Sequence, residues 1–285
     1  MSSKAEDSDS PKNSGSTTMS LEDAVALAVQ HHREGRIGEA GHIYQRILAV
    51  FPDHVDALHF LGVAEHQEGR PEAALELMNR ALALAPEHAD ALSNRGNVFR
   101  SLCRLDEAES DYRHALDLRR GDADALSNLG TVLRARGDWE GAVAAFRAAI
   151  AGKPDHAPAW QNLGGALEDL QRGVEAVAAF REAARLAPDS ADMYRQLGAA
   201  LYTQGRFQEA AEMYRRCLAL SPGDARAQHL LAACTGESVP ARASDEYVRA
   251  EFDHFAPAFD AKLARLEYRG PALVCQAVAE IAGDL

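Results

Sequence analysis

A 34-residue period constrains this chain more than any other feature. Six consecutive units, 21–54, 55–88, 89–122, 123–156, 157–190 and 191–224, repeat one pattern with no insertion between them. The unit at 123–156 shows it plainly. Its first half carries Leu126, Leu129, Gly130 and Leu133, and its second half carries Ala142, Ala145, Phe146 and Ala149. Gly137-Asp138 separates the halves and Pro154 closes the unit. Apolar residues at this spacing mark one buried face of a helix. Each half is about a dozen residues and marginal as an isolated helix. The chain therefore grows by addition, each hairpin burying its second apolar face against its neighbours.

Small residues recur inside the helices. Position eight is Ala28, then Gly62, Gly96, Gly130, Gly164 and Gly198, and position twenty is alanine from Ala40 to Ala210. Glycine in a helix interior costs about 1 kcal/mol of propensity. Its return at constant spacing predicts that positions eight and twenty face each other where the paired helices cross. Position twenty-four carries a large core residue: Tyr44, Met78, Tyr112, Phe146, Phe180 and Tyr214. Trp160, at position four of the fifth unit, reads as core by the same logic. A turn glycine follows the first helix at Gly35, Gly69, Gly137 and Gly205, but Leu102-Cys103-Arg104 and Leu170-Gln171-Arg172 break that rule. Arg120 replaces the closing proline of the third unit, so that junction is expected to be less sharply set.

The period, the small residues at two internal positions and the closing proline resemble the tetratricopeptide repeat. The resemblance implies an all-α fold, a right-handed superhelical solenoid of antiparallel helix pairs. First helices would line its concave side and second helices its convex side.

The flanks differ from the array. Residues 1–20 are rich in Ser, Asp, Lys, Pro and Gly and are expected to be disordered, since no contact offsets the ordering entropy. Ser20 is placed to cap a first helix beginning at Leu21, with Asp23 where a capping-box acid would sit. Residues 225–236 supply an additional capping helix over the edge of the sixth unit. Residues 237–285 read as a linker and helical tail, with an apolar series at Tyr247, Phe252, Phe255, Phe259, Leu263 and Leu266. That series, with Asp253, Asp260, Tyr268-Arg269 and Pro271, resembles the segment joining bacterial tetratricopeptide arrays to class I S-adenosylmethionine-dependent methyltransferase domains. The resemblance implies a catalytic domain beyond residue 285, so methyl transfer is not carried by the residues present and S-adenosylmethionine would belong to that further domain. Read from its residues alone, the tail is a cap or a surface for self-association through residues 245–285.

Composition narrows the partners. The formal net charge is -13 and the sequence pI is about 5.3, which disfavours diffuse binding to nucleic acid or to an anionic membrane. No apolar run is long enough to span a bilayer. Cys103, Cys217, Cys234 and Cys275 make no CxxC pair and no zinc framework, as expected for thiols in a reducing, cytoplasmic setting. The 11 histidines are scattered. His59, Glu65 and His66 are the one metal-like grouping, without a recognisable motif. No catalytic residue, metal or cofactor is expected within the array.

One polar pattern does follow the period. Position six reads Phe60, Asn94, Asn128, Asn162 and Gln196, and Asn97 lies one turn beyond Asn94. Asparagine is disfavoured within helices, yet its amide donates and accepts at once. The ladder could hold the backbone of an extended peptide, or bond across repeats and hold the stack. It resembles the ladder of the O-linked N-acetylglucosamine transferases in the Asn-Leu-Gly steps at 128–130 and 162–164, and departs from it with Asn94-Arg95-Gly96. Neighbouring inward positions offer Arg195, Arg100 and Arg134, the latter two as anchors for an acidic or C-terminal carboxylate group. Asp56, Asp90, Asp124 and Asp192, near the helix starts, read as caps or as groove acids. The peptide-binding candidates are thus Asn94, Asn97, Asn128, Asn162, Arg100, Arg134 and Arg195. The expected function is a protein- or peptide-binding scaffold acting through the concave groove. The competing expectation is the substrate-recognition arm of a methyltransferase.

Overall fold

The computed structural model describes residues 19–236 and the pair 248–249. The expectations for residues 1–18 and for the rest of the tail, its methyltransferase-like lead-in and its self-association included, lie outside the described residues. Within them are thirteen α-helices and no strand: α1 (Leu21–Arg33), α2 (Ile37–Val50), α3 (Val55–Gln67), α4 (Pro71–Leu84), α5 (Ala89–Ser101), α6 (Leu105–Leu118), α7 (Ala123–Ala135), α8 (Trp139–Gly152), α9 (Ala157–Asp169), α10 (Gly173–Leu186), α11 (Ala191–Thr203), α12 (Phe207–Leu220) and α13 (Ala225–Thr235). A 13-residue helix, a three-residue turn, a 14-residue helix and a four-residue turn account for the period. Two compact units divide between Arg136 and Gly137. The first holds α1 to α7 and the second α8 to α13, and within each unit successive helices pack on one another.

The helix starts correct one expectation. Asp56, Asp90, Asp124 and Asp192 sit inside the first turn, and except at α11, where Ser190 makes no side-chain cap, the residue that closes the preceding unit does the capping. His54 Nδ1 accepts from the Ala57 amide at 3.2 Å, His88 Nδ1 from Ala91 at 3.2 Å and His156 Nδ1 from Ala159 at 3.0 Å. Asp122 and Asp224 do the same with carboxylate oxygens, at 3.1 and 2.8 Å. The acids instead receive side chains: Arg119 grips Asp90 with two nitrogens at 2.8 and 3.0 Å. Ser20 caps α1 as its sequence suggests, accepting from Asp23 N at 3.1 Å.

The glycine at position eight answers to position twenty-four more than to position twenty. A methyl placed on Gly96 would lie 2.8 Å from Tyr112 Cε1, one on Gly164 2.6 Å from Phe180 Cε1 and one on Gly198 2.7 Å from Tyr214 Cε1. The ring lies on the bare backbone. In the second repeat the Met78 side chain is nearest at 2.9 Å, with the Ala74 carbonyl oxygen of position twenty at 3.3 Å. Trp160 is half-buried and not enclosed in the core, and its indole N–H donates to the Pro154 carbonyl at 2.9 Å.

The irregular turns keep the regular geometry. Cys103 and Gln171 adopt φ of 56° and 58°, the left-handed conformation that Gly35, Gly69, Gly137 and Gly205 adopt elsewhere. Their stacks demand the same turn, so the missing glycines become local strain of about 1–2 kcal/mol each. At Arg120, α6 stops at the same repeat position as the other second helices, but the following turn bond from Asp122 N to Arg119 O stretches to 3.4 Å, against 3.1 or 3.2 Å at the five other junctions.

One core pair is ionic. Position seven is leucine in the other five units, but Arg95 in the third, and position twenty-three opposite it is Asp111. Arg95 Nε and Nη2 each lie 2.7 Å from an Asp111 carboxylate oxygen, and Nη1 donates to Asn79 Oδ1 at 2.8 Å. Asp111 is 5% exposed, so the guanidinium is what makes its burial tolerable.

Candidate functional site

In the first unit, α1, α3, α5 and α7 touch in succession and form one face of first helices. Their side chains bond across repeats at a spacing of 35, from one position to the next position of the following repeat. His32 Nε2 lies 3.0 Å from Gln67 Oε1, His66 Nε2 lies 3.0 Å from Ser101 Oγ, and Asn94 Nδ2 lies 2.8 Å from His59 Nε2. Histidine pairing with a polar residue 35 positions on was the sequence signal for these rungs.

The Asn94 contact is part of a longer chain. The Tyr112 hydroxyl donates to Asn97 Oδ1 at 2.8 Å, Asn97 Nδ2 faces Asn94 Oδ1 at 3.5 Å, and Asn94 donates to His59. With Nε2 accepting, the His59 proton resides on Nδ1, which is buried without a hydrogen-bond partner among the described residues. His59 is 2% exposed, and burial lowers its pKa to about 4, with His88 and His32 pushing the same way and Asp90 and Asp56 opposing. Asn94 and Asn97 are therefore occupied within the stack.

The other candidates divide. Asn128 is half-buried and makes no hydrogen bond among the described residues; the preceding repeat offers it only Ser93 where Asn94 meets His59. Arg100 is exposed, close enough to the Tyr112 hydroxyl to counter the burial that raises that phenol to about 12 and, through its charge, to help lower the pKa of His66. Arg134 is half-buried and engaged in an interaction of its own. The three residues considered for a metal are otherwise occupied: Glu65 is paired with Arg70, His59 with Asn94 and His66 with Ser101.

In the second unit the hub is Asp192. Gln161 Nε2 and Gln196 Nε2 both donate to its Oδ2 at 2.8 Å, and Arg195 pairs with its other oxygen. Arg195 Nε also lies 3.6 Å from Asp224 Oδ2. Asn162 is half-buried and without a hydrogen bond among the described residues. The ladder position thus presents one unengaged amide in each unit, Asn128 and Asn162.

These features define an all-α helical-repeat protein whose first helices carry a polar face. Tetratricopeptide-repeat family models match residues 87–155 and residues 25–88, 127–191 and 175–225. The chain belongs to the tetratricopeptide-repeat family. No curated protein matches it. Among solved structures, a chain of the APC/C hetero-tetramer Cut9–Hcn1 is similar with a TM-score of 0.67 and 20% identity, over 75% of this chain and 42% of its own length. The chain thus spans less than half of that Cut9–Hcn1 chain. MamA is similar with a TM-score of 0.51 and 26% identity, over 57% of this chain and 95% of MamA. YrrB, described as a TPR protein with an unusual peptide-binding site, gives 0.53 and 21%, over 65% of this chain and 96% of its own. No helix among the described residues is long and apolar enough to cross a membrane.

Proposed function

We propose that this chain is a non-enzymatic scaffold that holds an extended peptide, or an extended segment of a protein partner, on its first-helix faces. The observation that carries this reading is the unengaged amide at the ladder position of each unit, Asn128 and Asn162. A half-buried primary amide without an internal partner is costly to desolvate and matches the donor and acceptor of a peptide group. Arg100 adds an exposed cation in the first unit, suited to an acidic side chain or a terminal carboxylate. YrrB is a precedent for a peptide-binding site on this fold.

The test begins with ligands selected from a peptide array against the full chain, followed by calorimetric titration. Asn128→Ala or Asn162→Ala should each weaken a ligand bound at its own unit about fivefold, the equivalent of one hydrogen bond of ~1 kcal/mol, with the melting temperature unchanged. Asn94→Ala should instead lower the melting temperature. Unchanged affinity in a folded Asn128→Ala/Asn162→Ala variant would sink the proposal.

A further inference from the structure

The chain from Tyr112 to His59 has a direction. Each link spends the single group that its neighbour needs: hydroxyl to Asn97 oxygen, Asn97 amide to Asn94 oxygen, Asn94 amide to the unprotonated His59 Nε2. It starts on α6, crosses α5 and ends on α3, so it ties the third repeat to the second through side chains alone. If His59 gains a proton on Nε2, that nitrogen becomes a donor and meets the Asn94 amide, another donor. Both asparagines would then have to turn over. After that turn, Asn97 would present its amide to a tyrosine whose own hydrogen had lost its acceptor.

We propose that this chain is a proton-sensitive tie between the second and third repeats, closed while His59 is neutral and released when His59 is protonated. The groups around the ring set its threshold. Asp56 lies on the same helix. His88, which caps α5 and stacks edge-on to His59 at 5.0 Å, and Asp90 flank it from the start of α5, and His32 faces it from α1. Arg119 holds Asp90 by two hydrogen bonds, so one of the two acids that would favour a charged ring is already neutralised. At the far end Arg100 stands beside Tyr112. Burial dominates and holds the ring down to about 4. The unfolded ring titrates near its ordinary value of about 6.5. The tie therefore contributes fully above that value and is lost as the pH falls towards 4. With these values the closed state loses about thirtyfold in equilibrium constant between pH 7.5 and pH 5.

Hydrogen exchange on the full chain at pH 7.5 and pH 5, expressed as protection factors, tests this directly. Helices α3 and α5 should lose about thirtyfold in protection, while α11, whose cross-links run through Asp192, should lose little. His59→Gln, whose amide oxygen accepts from Asn94 but does not titrate, should keep its protection at pH 5. Equal loss in α11, no loss in α3 and α5, or a loss retained in His59→Gln would each overturn the proposal, the last by moving the effect to the other histidines of these helices, His88 or the His66 that bonds Ser101. If His59→Gln does not fold, the NMR titration of the His59 ring in the natural chain decides. A midpoint below 5 supports the tie, and one near 6.5 overturns it.

Discussion

Three tyrosines occupy position twenty-four, and their hydroxyls meet different fates. Tyr112 donates to Asn97, whereas the hydroxyls of Tyr44 and Tyr214 are buried with no hydrogen-bond partner among the described residues. Position nine accounts for the difference: it is Asn97 in the third unit, but Val29 in the first and Ala199 in the sixth. Burial raises all three phenol pKa values, to about 12 for Tyr44 and Tyr112 and further for Tyr214. Removing an unpaired buried hydroxyl removes a desolvation cost, whereas removing a paired one strands its acceptor. Tyr44→Phe should therefore be neutral or stabilising by up to about 1 kcal/mol, while Tyr112→Phe should cost about 1 kcal/mol. Urea denaturation of the two variants reads the contrast. Equal destabilisation by both would show that the Asn97 bond contributes nothing.

At the scale of the element, α5 and α6 replace an apolar contact with the Arg95–Asp111 pair. Removing one member of a buried pair leaves a charge without compensation and costs about 3–5 kcal/mol, whereas an apolar pair of similar volume is close to neutral. Asp111→Ala alone should thus cost about 3 kcal/mol, and Arg95→Leu/Asp111→Ala should recover most of it. A double-mutant cycle by chemical denaturation measures the coupling, and a double variant no more stable than Asp111→Ala would refute the account. The helices themselves were legible in the sequence. The period, the small residue at position eight and the large residue at position twenty-four place the hairpins within each unit, and α1 begins at the expected Leu21. What the repeat does not encode is which side chains meet across repeats. The rungs run from one position to the next, so comparing equal positions groups Asn94 with Asn128 and hides its partner His59. Histidine caps were missed because an imidazole at a helix start offers a weaker sequence signal than serine or aspartate, and Trp160 was placed deeper than it lies because repeat position sets direction and not depth.

At the scale of the whole molecule, the helices of each unit pack on their neighbours in sequence and not on a common centre, and a defect should stay near its origin. Gly164 provides the test. An added methyl there would press on three carbons of the Phe180 ring at 2.6 to 2.7 Å, and Phe180 is 2% exposed, with nowhere to turn. Overpacking of this kind costs about 1–3 kcal/mol, and the gain in helix propensity returns about 1 kcal/mol. Gly164→Ala should therefore destabilise by up to about 2 kcal/mol. Its position should matter more than its size. Helices α9 and α10 make the disturbed contact, α8 and α11 pack directly on them, and α12 and α13 lie further along the same unit. Hydrogen exchange should show protection lost most in α9 and α10, less in α8 and α11, and least in α13, each relative to its own starting protection. A one-dimensional array passes the disturbance on through successive interfaces, so the loss declines with distance along the chain. Uniform loss over all the described helices would mean that the repeats share one cooperative core, and the neighbour-by-neighbour account of this solenoid would fail.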